Sequence, residues 1–120
     1  MDRIKSLLII ISCAPYKGSD AAWNALRLAN TAIEGGNSVR VFLINEGVDT
    51  GRKGLTHPTN DYHLGEMLKE AATAGAEVKY CKTCIDRCGV GTGDMIDEIK
   101  VGSMKDLHNW VMTSDKAVSF

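Results

Sequence analysis

Ala76-Glu77-Val78-Lys79-Tyr80-Cys81-Lys82-Thr83-Cys84-Ile85-Asp86-Arg87-Cys88-Gly89 is a short strand-like run that opens into a cysteine-rich segment. Three of the four cysteines of the chain lie within the eight residues Cys81 to Cys88. Ala76 to Tyr80 alternates apolar and charged positions and follows a glycine, as a strand entering a sheet does. A thiol does chemistry only when its thiolate can form and be reached, and the end of a strand opening into a basic loop offers both conditions.

Working outward, strand and helix patterns alternate along the chain. Ile4 to Ser12 is a continuous, isoleucine-rich apolar run, expected for a strand buried on both faces. The turn Ala14-Pro15-Tyr16-Lys17-Gly18 follows, and Ser19 or Asp20 can cap the next helix. Ala22, Leu26, Ala29 and Ile33 give that helix an apolar face, and Gly35-Gly36-Asn37 ends it. Val39 to Ile44 reads as the second strand. Asn45 to Pro58 reads as a long loop carrying Arg52, Lys53 and His57, of a length that is often functional.

Asn60 to Ala74 reads as a second helix with Leu64, Met67, Leu68 and Ala71 on one face, stopped by Gly75. After the cysteines, Gly89 to Gly93 is rich in turns, and Asp94 to Ile99 is expected to form a short helix. Lys100-Val101-Gly102 is a short fourth strand. Ser103 caps a last helix through about Thr113, with Met104, Leu107, His108 and Val111 at helical spacing, and Lys116 to Phe120 closes as a strand.

This order predicts an α/β fold, a three-layer α/β/α sandwich with a mainly parallel five-stranded sheet, in one domain spanning residues 1–120. Sites in such sheets collect at the carboxyl ends of strands. Cys13, the loop after Ile44, and Cys81 all belong at such ends.

A formal net charge of -1 leaves no electrostatic footprint for nucleic acid. The run Leu7 to Ile11 after Arg3 and Lys5 is too short to span a membrane, and the polar helical pattern behind it reads as folded domain rather than a cleavage region. The expected compartment is therefore the cytoplasm, where clustered cysteines are catalytic, redox-active or metal-binding more often than structural.

Three chemistries compete for the cluster. In the first, Cys81 and Cys84 form a C-x-x-C pair whose sulfurs can approach, with Lys82 and Arg87 adding positive charge. In the second, Cys81, Cys84 and Cys88 bind a metal with His57 or His63 as a fourth ligand, but structural zinc wants two spaced pairs and only one is present. In the third, the cysteines are small apolar packing residues. The turn Ser12 to Asp20 stands where a phosphate cradle would, yet it lacks the glycine patterns of nucleotide sites, and Gly89-x-Gly91-x-Gly93 has the wrong context. His57 could meet the thiols from its loop. His63 and His108 read as surface or packing residues.

The segment resembles the signature of the DsrE/DsrF-like family of sulfur-relay proteins: a strand-ending cysteine followed by C-x-x-C-x-x-x-R-G, or by C-x-x-x-x-x-R-R-G in the TusD branch. Cys81 matches the persulfide-bearing position, Cys84 the second cysteine and Gly89 the glycine. Cys88 stands where the family carries arginine, and Arg87 precedes it. The resemblance extends to Ser12-Cys13-Ala14-Pro15-Tyr16, Val41-Phe42-Leu43 with Gly47-Val48, and Val101-Gly102-Ser103-Met104 with Leu107. It implies a DsrEFH-like fold with the first strand central, and a sulfur carrier or sulfurtransferase that forms a persulfide on Cys81 and passes sulfane sulfur to a partner. Cys84 would be the resolving thiol, and no metal or organic cofactor is needed.

It also implies donor and acceptor proteins as partners and a homotrimer or homohexamer, for which Trp23, Trp110 and the methionines offer apolar contacts. The competing expectations are a non-catalytic binding or regulatory module of the same fold, and a Cys81/Cys84 dithiol redox protein.

Overall fold

The computed structural model describes residues 3–57, 59 and 62–120. Its five strands are β1 (Ser6–Ile11), β2 (Ser38–Leu43), β3 (Glu77–Cys81), β4 (Lys100–Gly102) and β5 (Lys116–Ser119). They form one sheet in the order β4-β3-β2-β1-β5, and every pairing is parallel. β1 is interior, between β2 and β5, but the middle strand is β2, one place from where the first strand was expected. Three strands, β1, β2 and β3, thus share the interior, and the two shortest, β4 and β5, take the edges.

The helices are α1 (Ala21–Glu34), α2 (Leu64–Thr73), the short α3 (Lys82–Arg87) and α4 (Met104–Thr113). α1 buries Ala22, Ala25, Leu26 and Ala29, which stand at i, i+3, i+4 and i+7 and make one stripe. Ser19 Oγ accepts the Ala21 N–H at 3.2 Å, whereas Asp20 occupies the cap position without a side-chain bond. α1 and α2 pack on each other along one face of the sheet, as two right-handed crossovers stepping in the same direction require. The β4-α4-β5 connection steps the other way across the sheet, which puts α4 on the opposite face. Ser103 and Asp106 form a reciprocal capping box at its start.

Trp110 is the residue by which α4 holds to the sheet. It is only 3% exposed, meets Phe42 edge-on at 6.1 Å and lies under Arg40 and Lys79. It is therefore a core residue and not the oligomer contact expected from sequence. Its helix leaves Met104, Val111 and Met112 facing outward instead.

Two connections differ from their expected form. Within the loop after β2, Asn45–Gly51 is a 3-10 helix with Val48 and Thr50 buried. The expected helix from Asp94 to Ile99 is replaced by a single 3-10 turn, Thr92–Asp94, followed by irregular chain. Its shortest backbone bonds run to the loop: the Ile96 N–H donates to the Gly51 carbonyl and the Lys53 N–H to the Asp94 carbonyl, both at 2.8 Å. Met95, Ile96 and Ile99 are buried all the same, so their apolar pattern records core contact and not helical period. The expected start of the second helix, at Asn60 and Asp61, falls outside the described residues, as does Pro58; the helix runs from Leu64. No helix among the described residues is long and apolar enough to cross a membrane.

Candidate functional site

Three consecutive strand ends meet at the carboxyl edge of the sheet. Ser12 follows β1, Asn45 and Glu46 follow β2, and Cys84, Arg87 and Cys88 follow β3. Together they line an open depression of about 430 Å³. Ser12 is held by Phe120, its N–H and Oγ both donating to the Phe120 carbonyl at 2.8 and 2.9 Å.

Cys81 ends β3 and caps α3, so its sulfur lies over the first turn of that helix. Its Sγ accepts the Cys84 N–H at 3.3 Å, and the side chain is only 6% exposed. Cys84 is half-buried, and its own Sγ accepts the Asn45 N–H at 3.2 Å. Asn45 reaches that position with φ at 53°, a left-handed conformation that asparagine tolerates better than most residues. Burial first, and then the hydrogen bond with the Cys81 side chain, push the Cys84 thiol above its ordinary range; the Asn45 N–H opposes this, and the neighbouring Cys81 and Cys88 sulfurs add to it. Cys88 follows α3 and is exposed.

Both predicted site residues, Cys81 and Cys84, are thus adjacent in space, linked through one backbone donor. The chain entering at Ile44 also meets them, as expected of strand ends. Cys13 is half-buried just beyond Ser12, its thiol pushed up chiefly by burial, and the lining residue at that strand end is Ser12. Lys82 Nζ pairs with Asp86 at 2.5 Å, which offsets the charge expected from it near the thiols, whereas Arg87 faces the depression.

His57 takes up a different place from the one considered in the sequence. Its ring stacks on Tyr62 at 5.2 Å and meets Tyr16 at 5.8 Å, with Nδ1 accepting the Thr59 N–H. His63 caps α2 and lines a smaller cavity of about 140 Å³ with Arg52, Lys53 and Lys69. Each of those cations is paired, with Asp49, Asp97 and Glu66 respectively. Among the described residues, no three His, Cys, Asp or Glu side chains are grouped to hold a metal ion.

Sequence reasoning missed Ser12, Asn45 and Glu46. Only Asn45 left a signal: an asparagine two residues before a glycine directly after a strand marks a place for left-handed backbone.

The DsrE/DsrF-like family profile matches residues 5–120. The uncharacterized protein MK0008 of Methanopyrus kandleri is 39% identical over 119 residues, covering 99% of this chain and 97% of that one. Protein YchN of Escherichia coli is 33% identical over 119 residues, covering 98% of this chain and all of its own. The crystal structure of the E. coli ychN protein superposes with a TM-score of 0.87 at 34% identity, covering 98% of this chain and 100% of that chain. MTH1491 from Methanobacterium thermoautotrophicum, a protein of unknown function at 12% identity, has the same fold, with a TM-score of 0.73 over 98% of this chain and 100% of that one.

Proposed function

We propose, for a chain that belongs to the DsrE/DsrF-like family, that it is a sulfur carrier whose Cys81 takes up sulfane sulfur and whose Cys84 is the partner thiol. One observation carries this reading: the paired bonds from Cys84 N–H to Cys81 Sγ and from Asn45 N–H to Cys84 Sγ hold two sulfurs next to each other at the end of β3. Backbone donors aimed at sulfur favour its anionic forms, thiolate and persulfide alike.

Cys81 thiolate attacks the outer sulfur of a donor persulfide. The donor S–S bond breaks, the donor thiolate leaves with the electron pair, and Cys81–S–SH remains. A thiolate on an acceptor protein then takes the outer sulfur by the same displacement and returns Cys81 as thiolate. Alternatively Cys84 attacks the inner sulfur, releasing hydrosulfide and leaving a Cys81–Cys84 disulfide. The cycle needs thiols kept reduced, as they are in the cytoplasm.

Intact-mass measurement after incubation with a persulfide donor tests the reading. Each added sulfur contributes about 32 Da and is lost on reduction. Wild type gains it and carries it on Cys81, and Cys81→Ser passes no sulfur on to an acceptor thiol. A wild-type protein that takes up no sulfur would reject the carrier role. Loss of two hydrogens on mild oxidation with no sulfur adduct would favour the dithiol redox reading, which the same C-x-x-C geometry supports.

The carrier is proposed to work as a homotrimer or homohexamer. The outward Met104, Val111 and Met112 of α4, the last 70% exposed, supply an apolar surface of the kind that subunit contacts cover. A monomeric mass by light scattering across micromolar concentrations would rule this out.

A further inference from the structure

Cys81 and Cys84 leave one nucleophile of the site unused. Cys88 stands where the family pattern has arginine, so nothing in the resemblance gives it a role. It follows α3 in helical conformation, φ -94° and ψ 0°, four residues after Cys84. That spacing puts both sulfurs on one side of the helix. Both line the depression, and Arg87 lines it with them.

The three thiols differ in access in a regular way. Cys88 is exposed, Cys84 is half-buried and Cys81 is buried. Displacement at sulfur needs the attacking, central and leaving sulfurs close to a line, so a thiol that meets a donor persulfide must project toward it. Cys81 is absent from the wall of the depression, and the Cys84 sulfur is already engaged by Asn45. Arg87 makes no ion pair among the described residues, which leaves its charge available to an anionic donor or departing thiolate.

We propose that Cys88 is the entry thiol of a three-cysteine relay, receiving sulfane sulfur from a donor persulfide in the depression and passing it through Cys84 to Cys81. The proposal rests on the carrier reading above and replaces its direct attack by Cys81 on the donor with delivery through Cys88 and Cys84. In the first step Cys88 thiolate attacks the outer sulfur of R–S–SH; the donor S–S bond breaks, R–S⁻ leaves with the electron pair, and Cys88–S–SH forms. In the second, Cys84 attacks that outer sulfur, Cys88 leaves as thiolate and takes up the proton that Cys84 gives up. The third step repeats this between Cys84 and Cys81. Sulfur keeps its oxidation state throughout, so no oxidant or reductant enters.

The sequence makes the test direct. Lys82 and Arg87 are tryptic sites, so Cys81, Cys84 and Cys88 fall on three separate peptides. Wild type, Cys88→Ser and Cys84→Ser are pulsed with limiting glutathione persulfide, quenched by alkylation at successive times and mapped. Sulfur should appear first on Cys88 and later on Cys81. Cys88→Ser should load Cys81 at least tenfold more slowly, and Cys84→Ser should hold sulfur on Cys88 with none on Cys81. If Cys88→Ser loads Cys81 at the wild-type rate, or sulfur appears on Cys81 first, the relay is wrong while the carrier reading stands. If wild type takes up no sulfur on any of the three, both fall. Because Cys88 is exposed, its replacement leaves the core intact, and a thermal melt matching wild type confirms that the comparison is between folded proteins.

Discussion

Gly47 presses on Ile11 so closely that a Cβ on it would stand 2.0 Å from the Ile11 carbonyl oxygen. That carbonyl already accepts the Ile44 N–H at 3.0 Å, so it cannot turn away without loosening the β1–β2 junction. The contact fixes the 3-10 segment over the end of β1, and with it Asn45 beside Cys84. Gly47→Ala is expected to cost about 2 kcal/mol, the usual range for overpacking against backbone. Gly93, with nothing within 4 Å of its Cβ position, is the control, and Gly93→Ala should be near neutral. Urea unfolding of the three proteins measures both.

The left-handed backbone of Asn45 leads to a second expectation. Asn45→Ala should destabilise by about 1 kcal/mol, because a Cβ without a polar partner is disfavoured there. Asn45→Gly should be within about 0.5 kcal/mol of wild type. Both variants keep the backbone donor to Cys84, so any common change in Cys84 alkylation would show that the side chain matters to the thiol.

Cys84 should alkylate with a pH midpoint above the ordinary thiol value of ~8.5. Cys81→Ala should bring the midpoint part of the way down, since it removes the hydrogen bond and the neighbouring negative charge but not burial, the largest cause. Rates of iodoacetamide labelling on the peptide Thr83–Arg87, followed from pH 6 to 10, read this directly (roughly two units either side of that value). A Cys84 midpoint at or below ~8.5 would contradict the arrangement of donors and sulfurs described here.

Asp115 binds the two outer strands on one side of the sheet. Its carboxylate accepts from Arg3 and from the Ser6 N–H, and its own N–H donates to Ser6. The Arg3 hydrogen bond, followed by that of the Ser6 backbone, holds its carboxyl well below the usual carboxylate range. A lowered folded-state value stabilises the protein above the unfolded value of ~3.9, and the contribution is lost as pH falls through the folded value. Asp115→Asn should therefore melt lower than wild type at pH 7, and the gap should close progressively below pH ~4. Thermal melts of both proteins between neutral and acid pH provide the comparison. A gap independent of pH would show that the charge is not what holds β1 to β5.

Much of the fold is local and was legible as such. The isoleucine run of β1, the alanine stripe of α1, the Ser103 cap of α4 and the glycine stops after α1 and α2 each follow from short-range sterics, hydrogen bonding and period. The strand-ending position of Cys81 and its three-residue spacing to Cys84 were visible for the same reason. The tertiary structure decided what neighbours in sequence cannot. It set β2, not β1, in the middle of the sheet, because strand order depends on which crossovers bury the most apolar surface. It buried Trp110 against Phe42 and turned the apolar residues of Met95 to Ile99 into an irregular core segment, because an apolar residue records burial without recording what covers it. It also drew Asn45 onto the Cys84 sulfur and graded the three thiols from buried to exposed, because solvent access and long-range donors exist only once separate strand ends have been brought to the same edge of the sheet.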